Sequence, residues 1–186
     1  MFRKQDRKED RLVRSIRKRR AVSALDRVLN WPGFFGLKAQ LRTFPDSDYL
    51  DLQKQALGAG AVVAQWSDNH PLADALLAAS AVLPLAPAHL WLSEEPEARW
   101  IRAPLGDVVK ALSFAVGSMS GSVVLLTEDG LRVDDALSEE VSARQADPRP
   151  GCALVIDIEV DGSGQRSFTT ALHGPWEPAV VEALAP

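Results

Sequence analysis

Three carboxylates at alternate positions are the residues of this chain whose spacing could hold a metal ion. Asp157, Glu159 and Asp161 are each two residues apart, and alternate residues of a strand share one face. Oxygen ligands suit a hard cation such as Mg²⁺, which could support phosphodiester hydrolysis. The same alternation is typical of the solvent face of an antiparallel hairpin, and Asp161 also begins a glycine-rich turn. A small metal-dependent hydrolase or nuclease using Asp157 and Glu159 is therefore an alternative hypothesis, ranked below the hairpin interpretation.

Other groups that could do chemistry are sparse. Cys152 is the single cysteine, which excludes an intrachain disulfide and a multi-cysteine zinc site. His70, His89 and His173 do not stand at metal-ligand spacing with one another or with Cys152. A lone cysteine at the start of a strand is more typical of a small buried hydrophobe than of an activated nucleophile. We predict no catalytic residue, no metal ligand and no cofactor, and a binding protein is favoured over an enzyme.

A pair of tryptophans offers a candidate binding surface. The sequence predicts a hairpin between residues 88 and 103, and directly paired positions in a hairpin keep a constant sum. Trp91 would then lie opposite Trp100, with His89 opposite Arg102. An uncovered pair of this kind beside a cation could stack on a base or an apolar partner. Cross-strand tryptophans more often belong to a core, so both interpretations remain open for Trp91, Trp100 and Arg102.

Charge is distributed unevenly along the chain. The net charge of the 186 residues is -4. Residues 1–20 hold ten cations against three acids, a local charge of +7 that leaves -11 for the rest. A basic arm on an acidic body implies that the arm either reaches a separate polyanion or folds back on its own body. We select as candidate binding residues Arg11, Arg14, Arg17, Lys18, Arg19 and Arg20.

The arm is expected to be helical but not straight. One apolar stripe, formed by Leu12, Val13 and Ile16, lies on a different face from a second stripe between residues 21 and 29. We therefore predict a hinge or register change near Arg19 and Arg20. Proline and glycine at positions 32 and 33 should end the helix.

Three aromatic residues follow the arm. Trp31, Phe34 and Phe35 could enter a membrane interface behind the basic helix. We favour the interpretation in which they dock the arm onto the core, since large aromatic side chains are usually buried.

Alternation and helical periodicity predict the rest of the fold. Strands at 37–44 and 61–66 around a helix form a candidate β-α-β unit with parallel neighbours. A helix from residue 68 should be largely buried, and a second helical stripe begins at Leu105. A hairpin turn is expected at Asp129–Gly130 and another after Val160.

These elements predict an α+β fold with mixed α/β layers: a mixed sheet with antiparallel hairpins packed by three to four helices, plus an N-terminal basic helical arm. We assign residues 1–30 to the arm and residues 31–186 to a single α+β domain. The sequence does not fix the oligomeric state.

The first functional hypothesis is a non-catalytic binding or regulatory module. Its basic arm would engage a polyanion such as nucleic acid, or an acidic protein surface. A peripheral membrane protein anchored by the arm with Trp31, Phe34 and Phe35 is a less favoured alternative. The first twenty residues lack the apolar region of a secretory signal, so we expect a cytoplasmic location.

Overall fold

The computed structural model describes residues 2–42, 61–98, 100–127 and 151–185, with the side chains of α1 described from residue 12 onward. The helices are α1 (Phe2–Leu29), α2 (Asn69–Val82), α3 (Leu105–Ala115) and α4 (Pro178–Leu184), with a 3₁₀ turn at Pro96–Ala98. The strands are β1 (Gln40–Arg42), β2 (Ala61–Trp66), β3 (Pro87–Leu92), β4 (Trp100–Pro104), β5 (Gly121–Thr127), β6 (Ala153–Val160) and β7 (Arg166–His173).

The described strands form one seven-stranded sheet in the order β1-β4-β3-β5-β6-β7-β2. Every pairing between these strands is antiparallel. The predicted α+β fold is confirmed, and so is the β6–β7 hairpin, in which Asp161 N–H donates to the Gln165 carbonyl at 2.9 Å. The hairpin expected at Asp129–Gly130 lies outside the described residues.

The parallel β-α-β unit is wrong. β1 and β2 lie at opposite edges of the sheet, with five strands between them. The 18 residues that join them can span up to about 60 Å when extended, against about 29 Å for six strand spacings. Adjacency in sequence therefore did not require adjacency in the sheet. The helix predicted between these strands lies outside the described residues.

One face of the sheet is covered by helices. Rows of apolar side chains cross the strands on this face, for example Leu90, Leu125, Leu154 and Leu172 in register. They pack in one core cluster with buried residues of α2, α3 and α4. The predicted stripe of α3 is confirmed, because Leu105, Val108, Val109, Leu112, Ala115 and Val116 are all buried.

Helix α2 is only partly covered. Its N-terminus is capped as expected, since the Asp68 carboxylate accepts from the His70 N–H at 3.0 Å. Leu72 and Leu76 are fully buried, but Leu77 and Val82 are exposed. The prediction of a largely buried helix is thus wrong for the outer side of α2, where an apolar sequence meets solvent.

A short polar chain joins the sheet edge to the last helix. Trp66 Nε1 donates to Thr170 Oγ1 at 3.0 Å, and Thr170 Oγ1 donates to the Leu184 carbonyl at 3.3 Å. Thr170 is buried, and a buried hydroxyl without hydrogen-bond partners would destabilise the core. These two bonds supply the partners. They tie β2, β7 and α4 together.

Helix α1 is continuous from Phe2 to Leu29, and the predicted hinge near Arg19 and Arg20 is wrong. The segment contains no glycine or proline to interrupt it. The two apolar stripes do lie on different faces, but only the second is buried, through Ala21, Ala24 and Val28. A continuous helix therefore suffices, since the first stripe does not have to reach the same core.

The turn after α1 packs tightly on α3. Gly33 has φ +80°, and a Cβ at this position would lie 2.5 Å from the Ala111 carbonyl oxygen. Only glycine accommodates both this backbone conformation and this approach. The turn places Phe34 in the core with no exposed surface, and its ring meets Trp31 edge to face at a centroid distance of 6.1 Å.

Neighbouring phenylalanines provide a matched test of this turn. Phe34→Ala should lower the free energy of unfolding by about 3–5 kcal/mol, because it leaves a cavity in the main core cluster. Phe35→Ala should change it by less than about 0.5 kcal/mol, since Phe35 is 85% exposed. Urea denaturation of both variants measures the difference. Equal losses of stability would contradict this packing.

Candidate functional site

The last third of α1 attaches the arm to the body. Ala24 and Val28 belong to the main core cluster, and the half-buried Leu25 packs against it. The small side chain of Ala24 lets the helix backbone lie close to the body. At the end of the helix, Asn30 Nδ2 donates to the Asp26 carbonyl at 2.7 Å, which satisfies one of the terminal acceptors.

A bidentate ion pair fixes the same end. Arg27 Nε and Nη2 donate to the two carboxylate oxygens of Glu95 at 2.8 and 2.7 Å. Arg27 Nη1 also lies 3.4 Å from Ser23 Oγ. The two parallel hydrogen bonds fix the relative orientation of the guanidinium and the carboxylate, in addition to pairing their charges. It connects α1 to the loop between β3 and β4.

The pair shifts the pKa values of both partners toward the charged forms. Hydrogen bonding from Arg27 lowers the pKa of Glu95, and partial burial opposes this only in part. Hydrogen bonding to Glu95 likewise raises the pKa of Arg27. A second ion pair nearby is looser, with Arg20 Nη1 3.7 Å from Glu97 Oε1 and both side chains about half exposed or more.

The middle of α1 projects its cations into solvent. Every residue from 12 to 20 is exposed. Successive residues are rotated by about 100° around a helix, so the four consecutive cations from Arg17 to Arg20 point in four directions. This part of α1 therefore carries positive charge on all sides of the helix. The exposed candidate cations are Arg14, Arg17, Lys18, Arg19 and Arg20, while the side chain of Arg11 lies outside the described set.

The first apolar stripe of the arm is also exposed. Leu12, Val13 and Ile16 have exposed fractions of 62%, 40% and 43%. They form a narrow apolar strip between cations. No helix among the described residues is both long enough and apolar enough to cross a bilayer.

The aromatic segment divides between core and surface. Phe34 is buried and Trp31 packs against the core, as the docking interpretation predicts. Phe35 is exposed beside them. Phe114 of α3, which no sequence pattern singled out, is also exposed although its Cβ lies against the turn.

The tryptophan pair belongs to a second apolar cluster on the face of the sheet opposite the helices. The predicted register is confirmed, with His89 paired to Arg102. Trp100 is 4% exposed and packs with Val124 and Leu126, while Trp91 is half-buried against the same cluster. The burial favours the core interpretation for Trp100.

Arg102 has a different setting from the tryptophans. It is half-buried, and together with Lys38 and Gln40 it lines a shallow pocket of about 270 Å³ near the β1 edge. Ligand binding through Trp91, Trp100 or Arg102 stays a prediction.

The carboxylates of β6 lie on an exposed part of the sheet. Asp157 accepts from Ser122 Oγ at 2.6 Å. Asp161 is occupied by its turn: hydrogen bonds from the Ser163 side chain and then from backbone N–H groups lower its pKa. Within the described ranges, no group of three or more His, Cys, Asp or Glu side chains has the arrangement of a metal site. The hypothesis of a metal at Asp157 and Glu159 stays a prediction.

The cysteine has a structural setting. Its backbone N–H donates to Thr127 Oγ1 at 2.9 Å, which joins the start of β6 to the end of β5. Cys152 is half-buried, and His89 and His173 are buried.

Sequence reasoning missed the contact between α1 and Glu95. The loop sequence Glu94-Glu-Pro-Glu97 holds three carboxylates in four residues. This local density of negative charge was the feature of the sequence that could have indicated a contact with the basic helix. The partner of each carboxylate depends on the docking angle of α1, which follows from the burial of Ala24 and Val28.

Comparison of the chain with protein-family models, with curated protein sequences and with solved structures gave no match. The candidate site therefore rests on its own geometry.

Removing the carboxylate of Glu95 tests the anchor. A carboxyl group whose pKa is lowered on folding stabilises the protein above its unfolded pKa, and this contribution is lost as the pH falls through the folded value. Glu95→Gln should therefore lower the melting temperature at pH 7 and match the wild type once the pH is well below 4.5, the ordinary pKa of glutamate.

Glu97→Gln is the matched control, because its contact with Arg20 is longer and more exposed. It should have the smaller effect at pH 7, and added salt should reduce both effects. A Glu95→Gln effect that persists unchanged at low pH would show that the ion pair is not its cause.

Proposed function

We propose that the protein is a non-catalytic binding module of the cytoplasm whose helix α1 engages an extended polyanion, and that the polyanion is nucleic acid. The observation that carries the proposal is the division of α1 into two parts. Ala21, Ala24 and Val28 are buried on the body, whereas every residue from 12 to 20 is exposed. The helix is held at one end and presents its cations at the other.

The distribution of cations around α1 suits a partner with negative charge on more than one side. The stretch from Phe2 to Arg20 is about 28 Å long at 1.5 Å per residue. The major groove of duplex DNA admits an α-helix and places phosphates on both of its walls. Arg14, Arg17, Lys18 and Arg19 are exposed in different directions and could reach both walls. A flat acidic protein surface would use only one side of this helix.

The body should stay away from the same partner. Residues 21–186 carry a net charge of -11, which repels a polyanion. Arg20 and Arg27 contact Glu97 and Glu95 of that body, so the more N-terminal cations are those best placed to reach outward. The acidic body and the projecting helix together favour binding through the N-terminal part of α1, with the body held away from the nucleic acid.

Such binding should be electrostatic and independent of base sequence. Lysine and arginine contacts to phosphates release counterions, so affinity falls steeply with salt concentration. Phosphate contacts position a protein without specifying sequence.

Fluorescence anisotropy with two labelled duplexes of unrelated sequence tests the proposal. The charge variant replaces Arg14, Arg17, Lys18 and Arg19 by Gln, which has nearly the same helix propensity. It should bind both duplexes at least about tenfold more weakly, and the slope of log affinity against log salt should fall by about 0.9 for each phosphate that the variant no longer neutralises.

The matched control removes the apolar strip and keeps the charge. A double variant with Leu12→Gln and Ile16→Gln should bind duplexes as the wild type does. Loss of binding in this variant with retention in the charge variant would contradict the proposal. Flotation with anionic liposomes distinguishes nucleic-acid binding from the membrane alternative. If the protein binds membranes, Phe35→Ala and the Leu12→Gln, Ile16→Gln double variant should both lose liposome binding.

A further inference from the structure

The two edges of the described sheet differ in how they are protected. At one edge, β1 has three residues and includes Arg42, with Lys38 just before it. At the other edge, β2 has six residues, Ala61–Trp66, and none of them is charged. Among the described strands β2 has a neighbour, β7, on one side only.

Both faces of β2 have an exposed valine at the centre of the strand, although Trp66 at its end is buried. Val62 is 44% exposed and Val63 is 58% exposed, and successive residues of a strand point to opposite faces. Natural proteins usually blunt edges with charges, prolines, bulges or very short strands, because an open edge is a template for another strand. β2 has none of these four devices.

We propose that β2 pairs antiparallel with β2 of a second copy of this chain, which forms a symmetric dimer with a continuous sheet. An antiparallel pairing of identical strands is closed by a two-fold axis and uses the same surface on both copies. Charge favours β2 over the other exposed segment of the chain as the partner strand. β2 carries no charge, so two copies pair without placing like charges opposite each other, whereas the exposed arm is strongly cationic.

The apolar pattern selects the register. When Val63 opposes Val63 of the second copy, Val62 opposes Ala64, so both exposed valines gain apolar partners on their own faces. Val63 already ends a row that runs through Ala171, Val155 and Val124. The two-fold axis would join this row to its copy across the interface. Shifting the centre to Ala64 would instead place Val63 against Gln65.

The dimer would set the two basic arms far apart. α1 contacts β1 and the 3₁₀ turn on the β3–β4 side of the sheet, which is the edge opposite β2. The arms would therefore lie toward the two outer ends of a fourteen-stranded sheet. The dimer does not rest on the proposed function, although two arms would increase avidity for a long polyanion.

Sedimentation velocity of the full chain, from low to high micromolar concentration, tests the proposal. The wild type should show reversible, concentration-dependent dimerisation. Val63→Lys should remain monomeric throughout, because it places like charges directly opposite each other. At the lowest concentration, where the wild type is also monomeric, both proteins should melt at the same temperature because the Val63 side chain is largely exposed. Val82→Lys, at a residue of α2 with a similar exposed fraction of 53%, is the matched control and should still dimerise.

Oxidative cross-linking tests the register in a Cys152→Ser background. Val63→Cys should form a disulfide-linked dimer, and Val62→Cys should form much less because it opposes Ala64 rather than itself. A wild type that stays monomeric at the highest concentration would overturn the proposal. So would a dimer that Val82→Lys disrupts and Val63→Lys does not, or a dimer without cross-linking at position 63.

Discussion

The docking of α1 depends on the burial of Ala21, Ala24 and Val28, and the placement of the charged part of the molecule follows from it. Small side chains at two of these positions bring the helix close to the body, and Arg27 then meets Glu95 in a two-bond geometry. The ion pair adds orientation more than stability, because Arg27 is half exposed. Apolar burial holds the helix and sets its docking angle, and the ion pair then stabilises that orientation.

The docked segment also explains how a strongly basic helix can extend into solvent. Starting a helix costs more than lengthening it, and the packed residues of α1 supply the start. Beyond them, like charges four residues apart, such as Arg14 and Lys18, weaken the helix. A polyanion would remove that repulsion. The body provides a firm base, since the antiparallel sheet is packed by three helices on one face and carries the arm near the edge opposite β2.

Local patterns predicted local structure well. Alternation located β6 and β7, the constant-sum rule gave the β3–β4 register through His89 and Arg102, and periodicity identified the buried side of α3. Strand order could not be predicted in this way, because a strand-helix-strand pattern does not say how far its connections reach. The hinge in α1 was inferred from two stripes that were assumed to share one core. The contact with Glu95 depends on a docking angle that no local pattern contains.

Hydrogen exchange along α1, with and without a nucleic-acid duplex, tests the central claim that the helix is anchored at one end and available at the other. In the free protein, amides between residues 22 and 29 should exchange slowly, and those between residues 12 and 20 should exchange much faster. Duplex should slow exchange in the second segment and leave the first unchanged. Uniformly slow exchange along the whole helix in the free protein, or no response of residues 12–20 to duplex, would contradict the account.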